Sequence, residues 1–220
     1  MVEAAKSLFL ILSALFPIVD PLGGSPIFLA MTRQYSAKTR RALSWRIAMN
    51  SFFLLVGSYF IGTHILSFFG ISLPVVQVGG GLIVVSTGWA LLKQGGNFDD
   101  KEAAQSVAPK SPYRDAFYPL TLPLTVGPGS ISVAITLGAN SPHHHGLYFW
   151  SILTANVGCA LLAVSIFLCY GFADRLGRIL GTTGMTVILQ LTSFLLVCIG
   201  VQIMWNGVSA LWVELPGHVR

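Results

Sequence analysis

The chain has 220 residues, of which 54% are hydrophobic and only 10% are charged, and its formal net charge is +5. Because a soluble domain carries about 25% charged residues, this composition excludes an ordinary soluble protein and predicts an all-α integral membrane protein. The length suits a single transmembrane domain, 1–220. We interpret the positive charge as a sign of membrane topology and not of nucleic-acid binding.

Six apolar segments follow one another in chain order, and we predict that each crosses the membrane. A polar stretch, 94–114, is interpreted as a solvated cytoplasmic linker between two repeats, 4–93 and 115–214. Three segments per repeat is an odd number, so the second repeat must enter the membrane from the side opposite to the first. The predicted segments are 4–32, 47–69, 75–92, 116–139, 147–172 and 187–212.

The first segment carries a break. As a continuous helix, 4–32 would be about 44 Å long at about 1.5 Å per residue, which is too long for a hydrocarbon core of about 30 Å. The run Asp-Pro-Leu-Gly-Gly-Ser-Pro at 20–26 resolves this excess, because proline removes a backbone donor and glycine weakens a helix. A tilted helix with a proline kink is the alternative.

The fourth segment carries a similar break at 119–129. Pro17, Pro21 and Pro26 recur at 119, 123 and 128, each displaced by 102 positions. We therefore predict two inverted three-helix repeats in which the first helix of each repeat is broken. Many secondary transporters have this arrangement and bind their substrate between the two breaks.

Basic residues are concentrated in the connections after the first, third and fifth segments, which hold eleven of the 13 lysines and arginines. We interpret 33–46 as a basic loop and place Arg175 and Arg178 in another loop. By the positive-inside rule these connections are cytoplasmic and both termini lie outside.

The two breaks supply the candidate substrate-binding residues. A broken helix exposes N–H groups that suit a carboxylate and C=O groups that suit a cation, and a zwitterion needs both. Glycines allow a ligand to approach the backbone, and serine and threonine hydroxyls are expected to add hydrogen bonds. The candidates are Asp20, Pro21, Gly23, Gly24, Ser25, Pro26, Thr121, Pro123, Thr125, Gly127, Pro128, Gly129, Ser130, Gln77 and Gln190.

Asp20 is the one acidic residue well inside a membrane segment, which makes it a functional candidate. It could receive a substrate ammonium, a sodium ion or a proton; the alternative is that it caps a half-helix. Gln77 and Gln190 occupy matching places in the two repeats, where bonding between helices is the alternative to substrate contact. The histidine run 143–145 lacks the fixed geometry of a metal site, and we predict neither a metal nor an enzyme activity.

Four stretches carry a resemblance to a known family: 20–28, 69–81, 119–129 and 195–202. With them the chain resembles the MarC family of six-helix bacterial inner-membrane proteins, which includes the neutral amino acid transporter SnatA. The resemblance implies a multi-pass protein of the cytoplasmic membrane and, for some members, amino acid transport. The family often has arginine where this chain has Gln77 and Gln190, so no role of paired arginines carries over.

The function we favour is secondary transport of a small zwitterion, a neutral amino acid such as glycine or alanine, by alternating access. The alternatives are a channel or exporter for another small solute or drug, and a membrane protein with no transport role. The expected partners are a small-molecule substrate and the lipid bilayer, without a cofactor or nucleic acid. A coupling Na⁺ or H⁺ and assembly into a homo-oligomer are left open.

Overall fold

A computed structural model describes residues 2–32, 34–93, 116–141 and 145–214, and every regular element in these ranges is helical. The predicted linker 94–114 and the side chains of the histidine run 143–145 lie outside the part described. The elements, in chain order, are α1 (Val2–Val19), α2 (Pro21–Met31), α3 (Ala37–Phe68), α4 (Leu73–Lys93), an irregular segment (Ala116–Thr125), α5 (Pro128–Ala139), α6 (His145–Gly171) and α7 (Ala173–Glu214).

Within the described ranges, five stretches are long and apolar enough to cross a membrane. The predicted fourth segment, 116–139, is divided between the irregular segment and the 12-residue α5. The multi-pass helical membrane fold is therefore confirmed, whereas the sixth crossing and the inverted repeat stay predictions. The five stretches are Ala5–Met31, Ala37–Phe68, Leu73–Lys93, Trp150–Gly171 and Thr183–Val213.

The predicted basic loop 33–46 is wrong for most of its length, because α3 already begins at Ala37. Ser36 caps this helix by accepting a hydrogen bond from the Thr39 amide at 3.2 Å, and lysine and arginine are good helix formers. The predicted loop around Arg175 is likewise helical, since it forms the start of α7.

Gly181 interrupts α7 with a φ of 64° and a ψ of −177°. This backbone conformation is accessible mainly to glycine. The short helical part before it carries Arg175 and Arg178, and the long apolar part after it, Thr183–Val213, is the candidate span.

Contacts between helices show which helix ends lie together. At one end, the Arg40 guanidinium lies 2.8 Å from the Asp174 carboxylate. At the opposite end, the hydroxyls of Tyr59 and Ser151 are 3.4 Å apart. Because α3, α6 and α7 join these ends, basic residues near the start of α3 and the start of α7 share one end of the bundle. We call it the basic end.

Helices α4 and α7 run antiparallel with their backbones in contact, and we call this contact the glycine seam. A Cβ added at Gly81 would lie 2.6 Å from the Gly200 carbonyl oxygen, and one at Gly200 would lie 2.8 Å from that of Gly81. A Cβ added at Gly88 or at Gly207 would likewise lie 2.9 or 2.6 Å from a backbone oxygen of the facing helix. Small residues at such positions are typical of close helix packing in membranes.

Candidate functional site

The first break lies between α1 and α2, but it is narrower than predicted. Asp20 is its non-helical residue, and the stretch 21–26, which we expected to be unwound, is already the start of α2. Asp20 adopts a left-handed conformation with φ 43° and ψ 64°, which is uncommon for a residue other than glycine. Its carboxylate accepts a hydrogen bond from the Gly23 amide at 3.0 Å, so it caps α2. Pro21 occupies the first position of α2, where a missing N–H costs nothing.

The second break is wider. Tyr118 and Leu122 have extended backbone conformations inside the irregular segment, and the peptide bond between Tyr118 and Pro119 is cis. After this segment the chain enters α5 through Gly127, whose φ of −88° and ψ of 177° are also extended. No side chain caps α5 in the part of the chain described, unlike α2.

The two breaks meet at one cavity of about 340 Å³, which we call the central cavity. From the first break it is lined by Asp20, Gly23 and Gly24. From the second break it is lined by Pro119, Thr125 and 127–130. Helix α4 and Leu196 of α7 complete the wall.

Eight of the fifteen predicted site residues therefore line one space. They are Asp20, Gly23, Gly24, Thr125, Gly127, Pro128, Gly129 and Ser130. Pro21, Ser25, Pro26 and Thr121 are buried beside the breaks without lining the cavity, and the side chain of Pro123 lies outside the part described.

The two glutamines are not brought together at the cavity. Gln77 reaches α5, where its amide donates to the Thr136 hydroxyl at 3.4 Å. Gln190 lies on an exposed face of α7. The bonding between helices that we gave as an alternative is therefore what Gln77 makes.

The serine and threonine hydroxyls of the breaks donate hydrogen bonds to backbone carbonyls. Ser25 donates to the Pro21 carbonyl at 2.8 Å, and Thr121 donates to that of Ala116 at 2.6 Å. Thr125 and Ser130 donate in the same way to carbonyls within their own segment, at 2.8 and 2.9 Å. Because a hydroxyl has one proton, all four donate in this structure to carbonyls three to five residues back and not to a ligand as we expected.

Two kinds of polar group are left for a ligand. Asp20 is the charged side chain among the residues described as lining the central cavity. Gly129 and Ser130, in the first turn of α5, line the cavity as well. Their N–H groups carry the partial positive charge of a helix N-terminus. The cavity thus combines a negative and a positive pole.

Tyr170 of α6 is a residue of the site that the sequence did not predict. Its ring is fully buried and stacks on Phe28 with centroids 4.7 Å apart. A Cβ added at Gly24 would contact its hydroxyl, which also lies 3.0 Å from the Thr125 hydroxyl. A buried tyrosine generally needs a hydrogen-bond partner for its hydroxyl. A tyrosine within an apolar segment was therefore the one feature of the sequence that could have indicated this role.

Asn50 of α3 also supports the second break. Its side-chain amide donates to the Thr121 hydroxyl at 3.3 Å. Asn156, in the middle helix of the predicted second repeat, donates to Ile152 of its own helix at 2.8 Å. The two asparagines therefore have different roles.

A second cavity, of about 430 Å³, lies at the end opposite to the basic end, and we call it the distal cavity. It lies between α3, α5 and α6, and polar side chains contribute much of its wall. These are Tyr59, Thr63, His64, Ser141 and Ser151.

Fold and site together define a multi-pass helical membrane protein with a cavity between two interrupted segments. Residues 5–212 match the family described as MarC family integral membrane protein, and the chain belongs to that family. The resemblance stated from the sequence is thereby confirmed.

Relatives of the chain are named as inner membrane proteins. The inner membrane protein MarC of Salmonella typhimurium (strain LT2) is 31% identical over 214 residues, which cover 94% of this chain and 96% of that protein. The protein of the same name from Citrobacter koseri is 33% identical over 222 residues with the same coverage. No solved structure matches the chain significantly.

Proposed function

We propose that the protein is a secondary transporter that moves a zwitterionic solute, a neutral amino acid, across the inner membrane by alternating access. The observation that carries this proposal is the central cavity, in which two interrupted segments from different halves of the chain face each other. Paired discontinuous helices around one central site are typical of such carriers.

The poles of the cavity match the two charges of an amino acid. The Asp20 carboxylate is a partner for the ammonium group, and the uncapped start of α5 is a partner for the carboxylate. Since the Gly23 amide occupies one carboxylate oxygen of Asp20, the substrate would share this carboxylate with the cap of α2. A coupling Na⁺ or H⁺ would compete for the same group.

Packing between the halves supports the inverted repeat. The third helices of the two predicted repeats, α4 and α7, form the glycine seam. The second helices, α3 and α6, also pack on each other from Ser44 beside Gly171 to Tyr59 beside Ser151. A two-fold axis in the membrane plane brings equivalent helices together in this way. With six crossings, both termini lie outside and the basic end is cytoplasmic.

The positions of the two cavities support alternating access. The wall of the central cavity continues to Met31 and Leu91, near the ends of α2 and α4 at the basic end. Toward the distal cavity, α5 packs closely on its neighbours, with Ser132 against Gly80 and Ile135 against Gly62. The structure therefore fits a carrier that is open toward the cytoplasm and closed by α5 on the other side.

Flux into proteoliposomes tests the proposal. We expect saturable, stereoselective flux of radiolabelled neutral amino acids, lost by at least about tenfold in Asp20→Asn because a hydrogen bond to a charged group contributes about 1.5–3 kcal/mol. Asparagine keeps an oxygen for the cap of α2. Asp174→Asn, which removes a carboxylate that does not line the cavity, is the matched control. The proposal fails if no amino acid gives saturable flux, and non-saturating conductance would favour a channel.

A further inference from the structure

We propose that the transported amino acid carries a branched aliphatic side chain of about the size of leucine, and that glycine and alanine are poor substrates. This inference rests on the proposed function and narrows its substrate class. It follows from the groups that line the central cavity beyond its two poles.

Away from Asp20 and the start of α5, most of the cavity wall is apolar. It is formed by side chains from four elements, and none of them can bond a polar substrate group. These side chains are Ile27, Met31, Ile83, Val84, Leu91, Leu124 and Leu196.

The hydroxyls in the same wall have no proton to offer. Thr87, the hydroxyl group among the α4 residues of the wall, donates to the Ile83 carbonyl at 2.8 Å. Thr125 donates to Leu120 at 2.8 Å, so the hydrogen bond of 3.0 Å with Tyr170 must take its proton from the tyrosine. Ser130 donates to Gly127. A substrate side chain with an acceptor would lose its water without finding a donor here.

The size of the cavity points the same way. A volume of about 340 Å³ is at the lower end of small-molecule sites, which span about 300–1,000 Å³, and holds about ten water molecules. Glycine would leave the apolar wall in contact with water, whereas a branched aliphatic side chain would cover it. Each added methyl or methylene group that is buried against this wall favours binding, so the gain over glycine is large enough to decide selectivity.

Equilibrium binding to the purified full-length protein in lipid nanodiscs tests the inference. Radiolabelled leucine is displaced by leucine, valine, alanine, glycine and asparagine, and by two truncated analogues, 3-methylbutylamine and 4-methylpentanoate. We expect leucine to bind at least about tenfold more tightly than alanine, in line with the effect of missing methylenes in apolar pockets. Asparagine and both analogues should bind more weakly still, since each leaves a pole or a polar group without a partner.

Variants locate the effect in the wall. Ile27→Phe, which fills the apolar part, should weaken leucine binding by at least about tenfold and weaken glycine binding much less. Leu22→Phe is the matched control, because Leu22 lies on the exposed face of the same helix and does not line the cavity.

The possible results distinguish a failure of this inference from a failure of the proposed function. If alanine or glycine binds as tightly as leucine, or if Ile27→Phe weakens leucine and glycine equally, the inference is overturned and the proposed function stands. If 3-methylbutylamine matches leucine, the carboxylate pole is absent and the inference of an amino acid ligand is overturned. If no amino acid binds and the flux assays also show no saturable amino acid transport, the proposed function itself has failed.

Discussion

The hydroxyl of Tyr170 lies 3.0 Å from the hydroxyl of Thr125 and against the backbone of Gly24, so one side chain of α6 touches both breaks. The ring is held by its stack on Phe28, in α2. This tyrosine therefore links the two interrupted segments beside the central cavity.

Removing this link gives the first prediction. Tyr170→Phe keeps the stack and deletes one hydrogen bond, so we expect a loss of about 1 kcal/mol in the free energy of unfolding. Thr125→Val should cost more, because it also removes the donor to Leu120. The double variant should cost no more than Thr125→Val alone.

The measurement is thermal unfolding in detergent, and Tyr118→Phe is the control, since Tyr118 is 69% exposed. Additive losses in the double variant would show that the two hydroxyls do not interact.

The glycine seam gives the second prediction. In Gly81→Ala the added methyl would stand 2.6 Å from the Gly200 oxygen, so α4 and α7 must separate. We expect a loss of several kcal/mol or failure to fold, read as aggregation in size-exclusion chromatography. Gly79→Ala is the control on the same helix, because nothing lies within 4 Å of its added Cβ. It should be neutral or stabilising by up to about 1 kcal/mol.

Arg40 gives the third prediction. Its guanidinium makes a two-point contact with Asp174 and also donates to the carbonyls of Thr32 and Tyr35, at 3.2 and 2.9 Å. Arg40→Gln should lower the free energy of unfolding by about 1–3 kcal/mol. Asp174→Asn should cost less, because Arg40 keeps both carbonyls. Arg41→Gln, at an exposed neighbouring position, is the control; equal losses for Arg40→Gln and Arg41→Gln would contradict the prediction.

Orientation gives the fourth prediction. In a variant without Cys159, Cys169 and Cys198, cysteines at positions 5 and 93 should react with a membrane-impermeant maleimide from opposite sides. Position 5 should react in intact spheroplasts and position 93 only in inverted vesicles. Labelling of both from the same side would exclude the predicted topology.

The breaks could be predicted because proline and glycine act locally. Pro21 cannot donate to the turn before it, and Pro128 suits a helix start, whatever surrounds them. The prediction that the two breaks lie together rested only on the repeated proline spacing. No local rule says where two stretches that are 102 residues apart in the chain lie relative to each other. The family and the multi-pass character followed from motifs and composition.

The sequence could not predict the hydrogen-bond partners of the polar side chains. Serine and threonine hydroxyls look the same whether they face a ligand or a carbonyl one turn back, and here they face carbonyls. Clustered charge suggested a loop, although the same lysines and arginines favour a helix once Ser36 caps it. Tyr170 gave no sign that its hydroxyl joins two distant segments.

The glycine seam and the cavity wall differ in how freely a lineage can alter them. An aliphatic side chain in the wall can be exchanged for another one at a time, so ligand preference is free to drift in small steps. A change in the seam needs matching changes on two helices at once, because neither backbone has room to yield. Selection can therefore alter the lining of the central cavity far more easily than the packing of the helices.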